Sequence, residues 1–494
     1  MKPVRKLLAG LSVLAVVGLV AACADETEPI VSPEDNPPTI QLTAPNGGEV
    51  VQPGSNVEIT WTATDDIGVV GVDLSYLSGG FEAAIATGLT GSSYTWQVPD
   101  ANVFSVTVKA VAKDTVGQTG EDESDNIFAI IANSARGYVG SSICRNCHFS
   151  YSEGMLNSGH PYKLNEVVNG QAPEYPHSEV PTPPPGALRA AWSDIAYVIG
   201  GYGWKALFLT ADSGWIMTNA MDGVDVQYNL PRSDLGGGLP AEWAPYQTTD
   251  AARKPYDCGA CHTTGWQSFA DNGGVHQDGL VGIAGTWEET GITCEECHGP
   301  GANHVASQSA SDISVDDSGV LCNQCHVRGD AQTVSASGGF VTNEQQYNEL
   351  LAGPHADLGC NDCHDAHVGV LYGNAANGGI VETCESCHPD QAANNSHNSA
   401  PDCVDCHMSR ATMSARAVHS FEGDVRTHIF RINADGNLTK DDMFNAGGTF
   451  MDKGWVTLDF ACYSCHTDPV STDGGGFSQK TMAELAAKAA GIHN

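Results

Sequence analysis

The stretch Cys144-Arg145-Asn146-Cys147-His148 decides how this chain is read, because its pattern returns seven more times. Cys-x-x-Cys-His also stands at Cys258/Cys261/His262, Cys294/Cys297/His298, Cys322/Cys325/His326, Cys360/Cys363/His364, Cys384/Cys387/His388, Cys403/Cys406/His407 and Cys462/Cys465/His466. Two thiols three positions apart on one turn can reach the two vinyl groups of a single porphyrin, and the adjacent imidazole can then meet the iron. Zinc sites and disulfide frameworks also use paired cysteines, but neither demands a histidine directly after every pair. The pattern therefore predicts eight covalently attached haem c groups. These motifs use every cysteine after Gly137, and all 18 histidines also lie beyond that point.

From Gly137 to Val470 the eight motifs share about 330 residues, roughly 40 each, too few to wrap every porphyrin in its own polypeptide core. The haems themselves are expected to form the core, stacked or nearly touching, within a loop-rich chain. Gly 56 and Pro 24 fit that reading. Each iron needs a second axial ligand unless a position stays open for substrate. Ten histidines lie outside the motifs, and eight would complete the set. His160, His304, His355, His367, His397 and His428 are expected first, then His276 and His419, with His177 and His493 ranked last. Methionine ligation is not expected, since Met408 directly follows His407 and cannot reach back to the same iron.

Upstream of the motifs, about Pro38 to Ala132, cysteine and histidine are absent. Val57-Glu58-Ile59-Thr60-Trp61-Thr62 alternates apolar and polar, as do Tyr94 to Val98 and Val103 to Val111, with glycine-rich turns between. An all-β sandwich over 38–132 is predicted. Before it, Lys2, Arg5 and Lys6 precede an apolar run to Val20 and small residues around Cys23, a signal peptide over 1–24. Val20-Ala21-Ala22-Cys23 reads as a lipobox that would anchor Cys23 to lipid, while Ala22-Cys23-Ala24 fits cleavage before Asp25. Residues 25–37 read as a linker. Downstream, Ile195 to Gly201 and Trp204 to Leu209 read as a buried hairpin, 137–470 as the cytochrome domain, and 471–494 as a tail with a short helix.

Net charge is −37, which argues against nucleic acid or an anionic membrane surface as partner and favours cationic ones.

Pro45-Asn46-Gly47-Gly48-Glu49-Val50 with Val57 to Thr62 resembles bacterial immunoglobulin-like modules of exported proteins. The later chain resembles multihaem cytochromes of extracellular electron conduits, including the nanowire subunits of metal-reducing bacteria. The resemblance rests on Tyr138 to Ser141, Ser158-Gly159-His160-Pro161-Tyr162-Lys163-Leu164, Ala196 to Ala206, Gln277 to Leu280, Gly282 to Trp287, Cys294 to His304 and Gly423 to Phe430. It implies His160, His304 and His428 as distal ligands and a role in electron transfer; other redox proteins or extracellular acceptors are the expected partners, and self-association into filaments is left open. Tetrahaem nanowire subunits carry fewer haems, and a lipidated Cys23 would place this chain on an outer-membrane surface. The alternative is an octahaem enzyme of the nitrite, tetrathionate or hydroxylamine type, with one haem five-coordinate or lysine-ligated.

Overall fold

The computed structural model describes residues 35–235, 238–316, 318–372, 379–397 and 401–493. The signal peptide, Cys23 and most of the 25–37 linker lie outside the described residues. Among the described residues no helix is long and apolar enough to cross a membrane.

Nine strands build the first module: β1 (Thr39–Ala44), β2 (Val50–Val51), β3 (Asn56–Thr64), β4 (Val69–Ser78), β5 (Phe81–Leu89), β6 (Ser93–Gln97), β7 (Val103–Asp114), β8 (Thr119–Glu123) and β9 (Phe128–Ile130). One sheet runs β1-β3-β6 and the other β2-β9-β7-β4-β5, with β8 also paired to β7. Alternation in β7 sends Val106, Val108, Ala110 and Ala112 inward, where they meet Ile59, Trp61, Trp96 and Phe128 from the rest of the sandwich. The β3–β6 register sets Val57 beside Trp96 and Ile59 beside Tyr94.

Past Gly137 the chain carries little regular structure. Its largest element is an antiparallel sheet of β10 (Leu164–Glu166), β11 (Ile195–Gly200), β12 (Lys205–Thr210), β13 (Gln227–Asn229) and β14 (Glu242–Ala244). The β11–β12 pair is the buried hairpin expected from its apolar runs, with Val198 opposite Phe208. This sheet fixes the loop before it. Lys163 carbonyl accepts from Gly200 N–H at 2.9 Å, and Asn165 Nδ2 donates to the carbonyls of Tyr162, Val198 and Gly200. The segment 160–165 is thereby held at the sheet edge. Gly291 lets a second stretch of chain cross it: φ is +72°, a Cβ there would lie 1.9 Å from Pro161 O, and Ile292 N–H donates to His160 O at 2.9 Å.

A second apolar cluster joins Val334, Phe340 and Val341 to Ile429, Met443, Val456 and Phe460. Near the end, Met482–Ala489 forms a helix capped by Thr481, whose hydroxyl accepts from Glu484 N–H.

Candidate haem-binding sites

Every motif closes a short helical turn. In five of them the histidine N–H donates to the carbonyl of the first cysteine: His148, His326, His364 and His466 at 2.9 Å and His388 at 2.8 Å. That bond places both thiols and the imidazole on one side of the turn, the arrangement the chemistry requires. No disulfide joins any of the sixteen thiols.

The thiols are not equally enclosed, and Cys387 is one of the exposed ones. It ends the four-residue helix Cys384–Cys387, in which no residue is buried, and its side chain is exposed, as are those of Cys147, Cys297 and Cys465. Among the described residues no hydrogen bond reaches the Cys387 sulfur, whereas the Cys384 thiol in the same motif lies beside that of Cys403. The physical reason is that polypeptide alone does not cover this turn. A sulfur that is to join a porphyrin must stand clear of other side chains, and exposed Cys387 keeps the motif spacing from Cys384 and His388.

Two imidazoles on opposite sides of one metal, each bonded at about 2 Å, put their ring centroids roughly 6 Å apart. Seven motif histidines meet that condition. His148 faces His304 at 6.1 Å, His298 faces His367 at 6.1 Å, and His326 faces His160 at 6.2 Å. His364 faces His428 at 6.2 Å, and His388 faces His355 at 6.0 Å. His407 faces His493 at 5.9 Å and His466 faces His397 at 6.2 Å. In every pair the second histidine comes from outside the motif it faces, so each iron would tie two distant stretches of chain together.

Hydrogen bonds at Nδ1 turn the other ring nitrogen of several of these histidines toward the gap. His298 Nδ1 lies 2.7 Å from Ser314 O, His326 Nδ1 2.9 Å from Gln346 Oε1, His407 Nδ1 2.8 Å from Phe430 O, and His304 Nδ1 2.9 Å from Ser309 O. Burial, with the charges of Lys163 and His326 beside it, pushes His160 down to about 3, and burial beside His364 and His326 does the same for His428. Neutral imidazole is the form that binds iron. The residues present fit the group.

His276 and His419, expected as second ligands, face no motif histidine among the described residues. His276 stacks on Phe269 at 4.4 Å with Nδ1 2.6 Å from Ile283 O, and His419 Nε2 pairs with Glu422 at 3.3 Å. His493, ranked last, faces His407. His177, ranked beside it, sits against Tyr372 at 4.9 Å and hydrogen-bonds Asn157 Oδ1 at 3.1 Å.

The motif at Cys258/Cys261 differs from the rest. Among the described residues His262 faces no second histidine, and its Nδ1 lies 3.1 Å from Lys163 O. Burial pushes the Lys163 ammonium below its ordinary range, and its charge is felt by His160 and His262. Lys163 is half-buried. Glu344 stands in the same cluster with φ +68°. Enclosure by the surrounding chain raises its carboxyl, but His262, Lys163, Lys205 and Arg328 together outweigh that and hold it low, while the side chain stays 57% exposed. A left-handed non-glycine residue amid converging charges is a mark of a functional site. Sequence reasoning missed this cluster because none of Lys163, Lys205, Arg328 or Glu344 belongs to a motif.

The motifs also adjoin one another. The Cys144 thiol lies beside that of Cys294, Cys261 beside Cys325, Cys322 beside Cys360 and Cys384 beside Cys403. Cys297 feels Cys322, Cys363 feels both Cys384 and Cys387, and Cys462 feels Cys406. These neighbours link the motifs in the order first, third, fourth, fifth, sixth, seventh, eighth, with the second attached to the fourth.

A β-sandwich followed by such a set of attachment motifs fits the class of multihaem c-type cytochromes with an N-terminal immunoglobulin-like domain. Residues 38–110 match the family model for a bacterial Ig domain, and residues 241–299 match that for cytochrome c554 and c-prime. Among solved structures, the outer cell wall cytochrome OcwA aligns over 71% of this chain and 86% of its own, at 19% identity and a TM-score of 0.39. The fibronectin(III)-like modules of Clostridium thermocellum CbhA align over 18% of this chain and 44% of theirs, at 24% identity and a TM-score of 0.15. No curated protein sequence matches the chain.

Proposed function

We propose that this is an exported protein that carries eight haem c groups and moves electrons along them to or from one haem, anchored at Cys258 and Cys261, that lacks a second histidine. Haem supplies one-electron chemistry when bound, and axial imidazoles keep the metal low-spin and closed to other ligands. Seven histidine pairs fit that closed role. The observation that carries the reading is the contrast between those seven pairs and His262.

His262 Nδ1 lies 3.1 Å from the backbone carbonyl of Lys163, and the Lys163 charge is felt by the imidazole. His262 would supply one axial position, and among the described residues no second histidine faces it to supply the other. The other position is then available for exchange with a small molecule. Lys205 and Arg328 add positive charge around Glu344 at this place, although the chain as a whole carries −37. An anionic substrate fits that local field better than the overall charge implies. This reading favours an octahaem redox enzyme over a conductor in which all eight haems are bis-histidine. Its exchange partners would be other redox proteins or acceptors outside the cell membrane.

Electron paramagnetic resonance of the oxidised protein tests the reading. We expect seven low-spin bis-histidine haems and one of different character, with cyanide or nitric oxide binding at one site per chain. Eight bis-histidine haems and no binding of either probe would return the protein to the filament or carrier reading.

A further inference from the structure

The β-sandwich reads from sequence as a spacer, but its packing ties it to one iron ligand. The helix Ala302–Ser307 carries His304, which faces His148. Just beyond that ligand, the same helix buries Ala306 at 0% exposure against Ala129 and Ile131, both also at 0%, with Val50, Phe104, Val139 and Val305 packed around them. Val50, Phe104, Ala129 and Ile131 belong to the sandwich and Val139, Val305 and Ala306 to the cytochrome domain, so the cluster is a shared core and not a passing contact.

A polar contact reinforces it at the helix end. Gln308 Nε2 donates to Ser105 Oγ at 2.6 Å. Both residues lie in the left-handed region, with φ of +54° for Gln308 and +53° for Ser105. Neither is glycine, so each holds a conformation of the kind that persists only where surrounding structure over-determines it. Gln308 N–H donates to His304 O at 2.7 Å, and Ser309 O receives His304 Nδ1, so the residue fixed by the sandwich adjoins both bonds that orient the imidazole.

We infer that the immunoglobulin-like module positions His304, through Ser105, Ile131 and their contacts on the Ala302–Ser307 helix, and thereby sets the axial environment of the haem anchored at Cys144 and Cys147. Ser105 and Ile131 are positioning residues: they touch neither ligand nor porphyrin. The His148 and His304 rings are tilted by only 24° to each other, and the relative orientation of two axial imidazoles governs the resonance position of low-spin ferric haem. A change in the module therefore registers at that haem and not at the others. The inference stands apart from the reading of His262, since it concerns a different pair.

Two variants of the full haem-loaded chain test it. Ile131→Asp places an unpaired carboxylate in the shared core and parts the modules, which small-angle scattering reads as an increase in the radius of gyration. Ser105→Ala removes only the hydroxyl. We expect one low-spin resonance to move in each, further in Ile131→Asp, with the remaining resonances superimposable on the parent. Unmoved resonances in a chain whose modules have parted would overturn the inference. If Ile131→Asp does not part the modules, or loses haem throughout, Ser105→Ala decides, and an unmoved spectrum there overturns it.

Discussion

His493 stacks on His407, the ring centroids 5.9 Å apart and the planes 26° from parallel. The last turn is fastened so that this approach is possible: Ser396 N–H donates to Ile492 O at 2.9 Å, Lys488 Nζ donates to Ser396 O at 2.7 Å, and His493 Nδ1 lies 3.1 Å from Gln391 O. An imidazole opposite His407 would close that iron. His493→Ala should convert one of the seven low-spin haems to high-spin while the other six keep their signals. Unchanged low-spin intensity by magnetic circular dichroism would count against the pair.

His276 and His419 make the converse case. Among the described residues neither faces a motif histidine: His276 stacks on Phe269 and His419 lies beside Glu422. His276→Ala and His419→Ala should leave the number of low-spin haems unchanged, whereas His304→Ala should reduce it by one. Loss of a low-spin signal in either of the first two would restore them as ligands.

That contrast shows what the sequence could tell. A proximal histidine is written beside its two cysteines, because covalent attachment fixes the spacing. A distal histidine is not, because it is brought from elsewhere by folding: His160 meets a motif 166 residues on, at His326. Position in the chain therefore misled for His493, whose place near the end gave no hint that Ser396 and Gln391 hold it. Spacing was equally silent on enclosure, for Cys387 stands exposed while its motif partner Cys384 is half-buried. The sandwich was legible from alternation in β3 and β7, since a two-sided sheet writes its period into the residues. The cluster around Glu344 was not, for its members are single residues from four separated stretches joined only by the fold.

Glu295 offers a test of the packing between motifs. It lies within the third motif, is 2% exposed, and accepts the N–H groups of Val139 at 3.0 Å, Gly140 at 2.7 Å and Gly301 at 2.7 Å. These donors lead into the first motif and into the helix that bears His304. Glu295→Leu leaves three N–H groups without an acceptor, and each orphaned buried donor costs about 1–3 kcal/mol. Glu295→Gln keeps an acceptor oxygen and should cost less. Denaturant unfolding monitored in the Soret band should rank them in that order, and equal midpoints for Glu295→Leu and the parent would refute the role.

The two halves of the chain should respond oppositely to loss of haem. The sandwich buries Ile59, Trp61, Trp96, Val106, Val108 and Phe128 against one another without any cofactor. Past Gly137 the elements are short, their apolar clusters separate, and the facing histidines are spaced for a metal between them. Ordering the backbone of one residue costs about 1–2 kcal/mol, and without haem these separate clusters must offset that cost alone across the whole second half. Metal-dependent domains of this kind fold only when loaded. Chain produced with all sixteen motif cysteines changed to serine should show β-sandwich circular dichroism and one cooperative unfolding transition confined to residues 38–131, with rapid proteolysis beyond Gly137. Protease resistance past that point would mean that the polypeptide, and not the haem, is the core of the second domain.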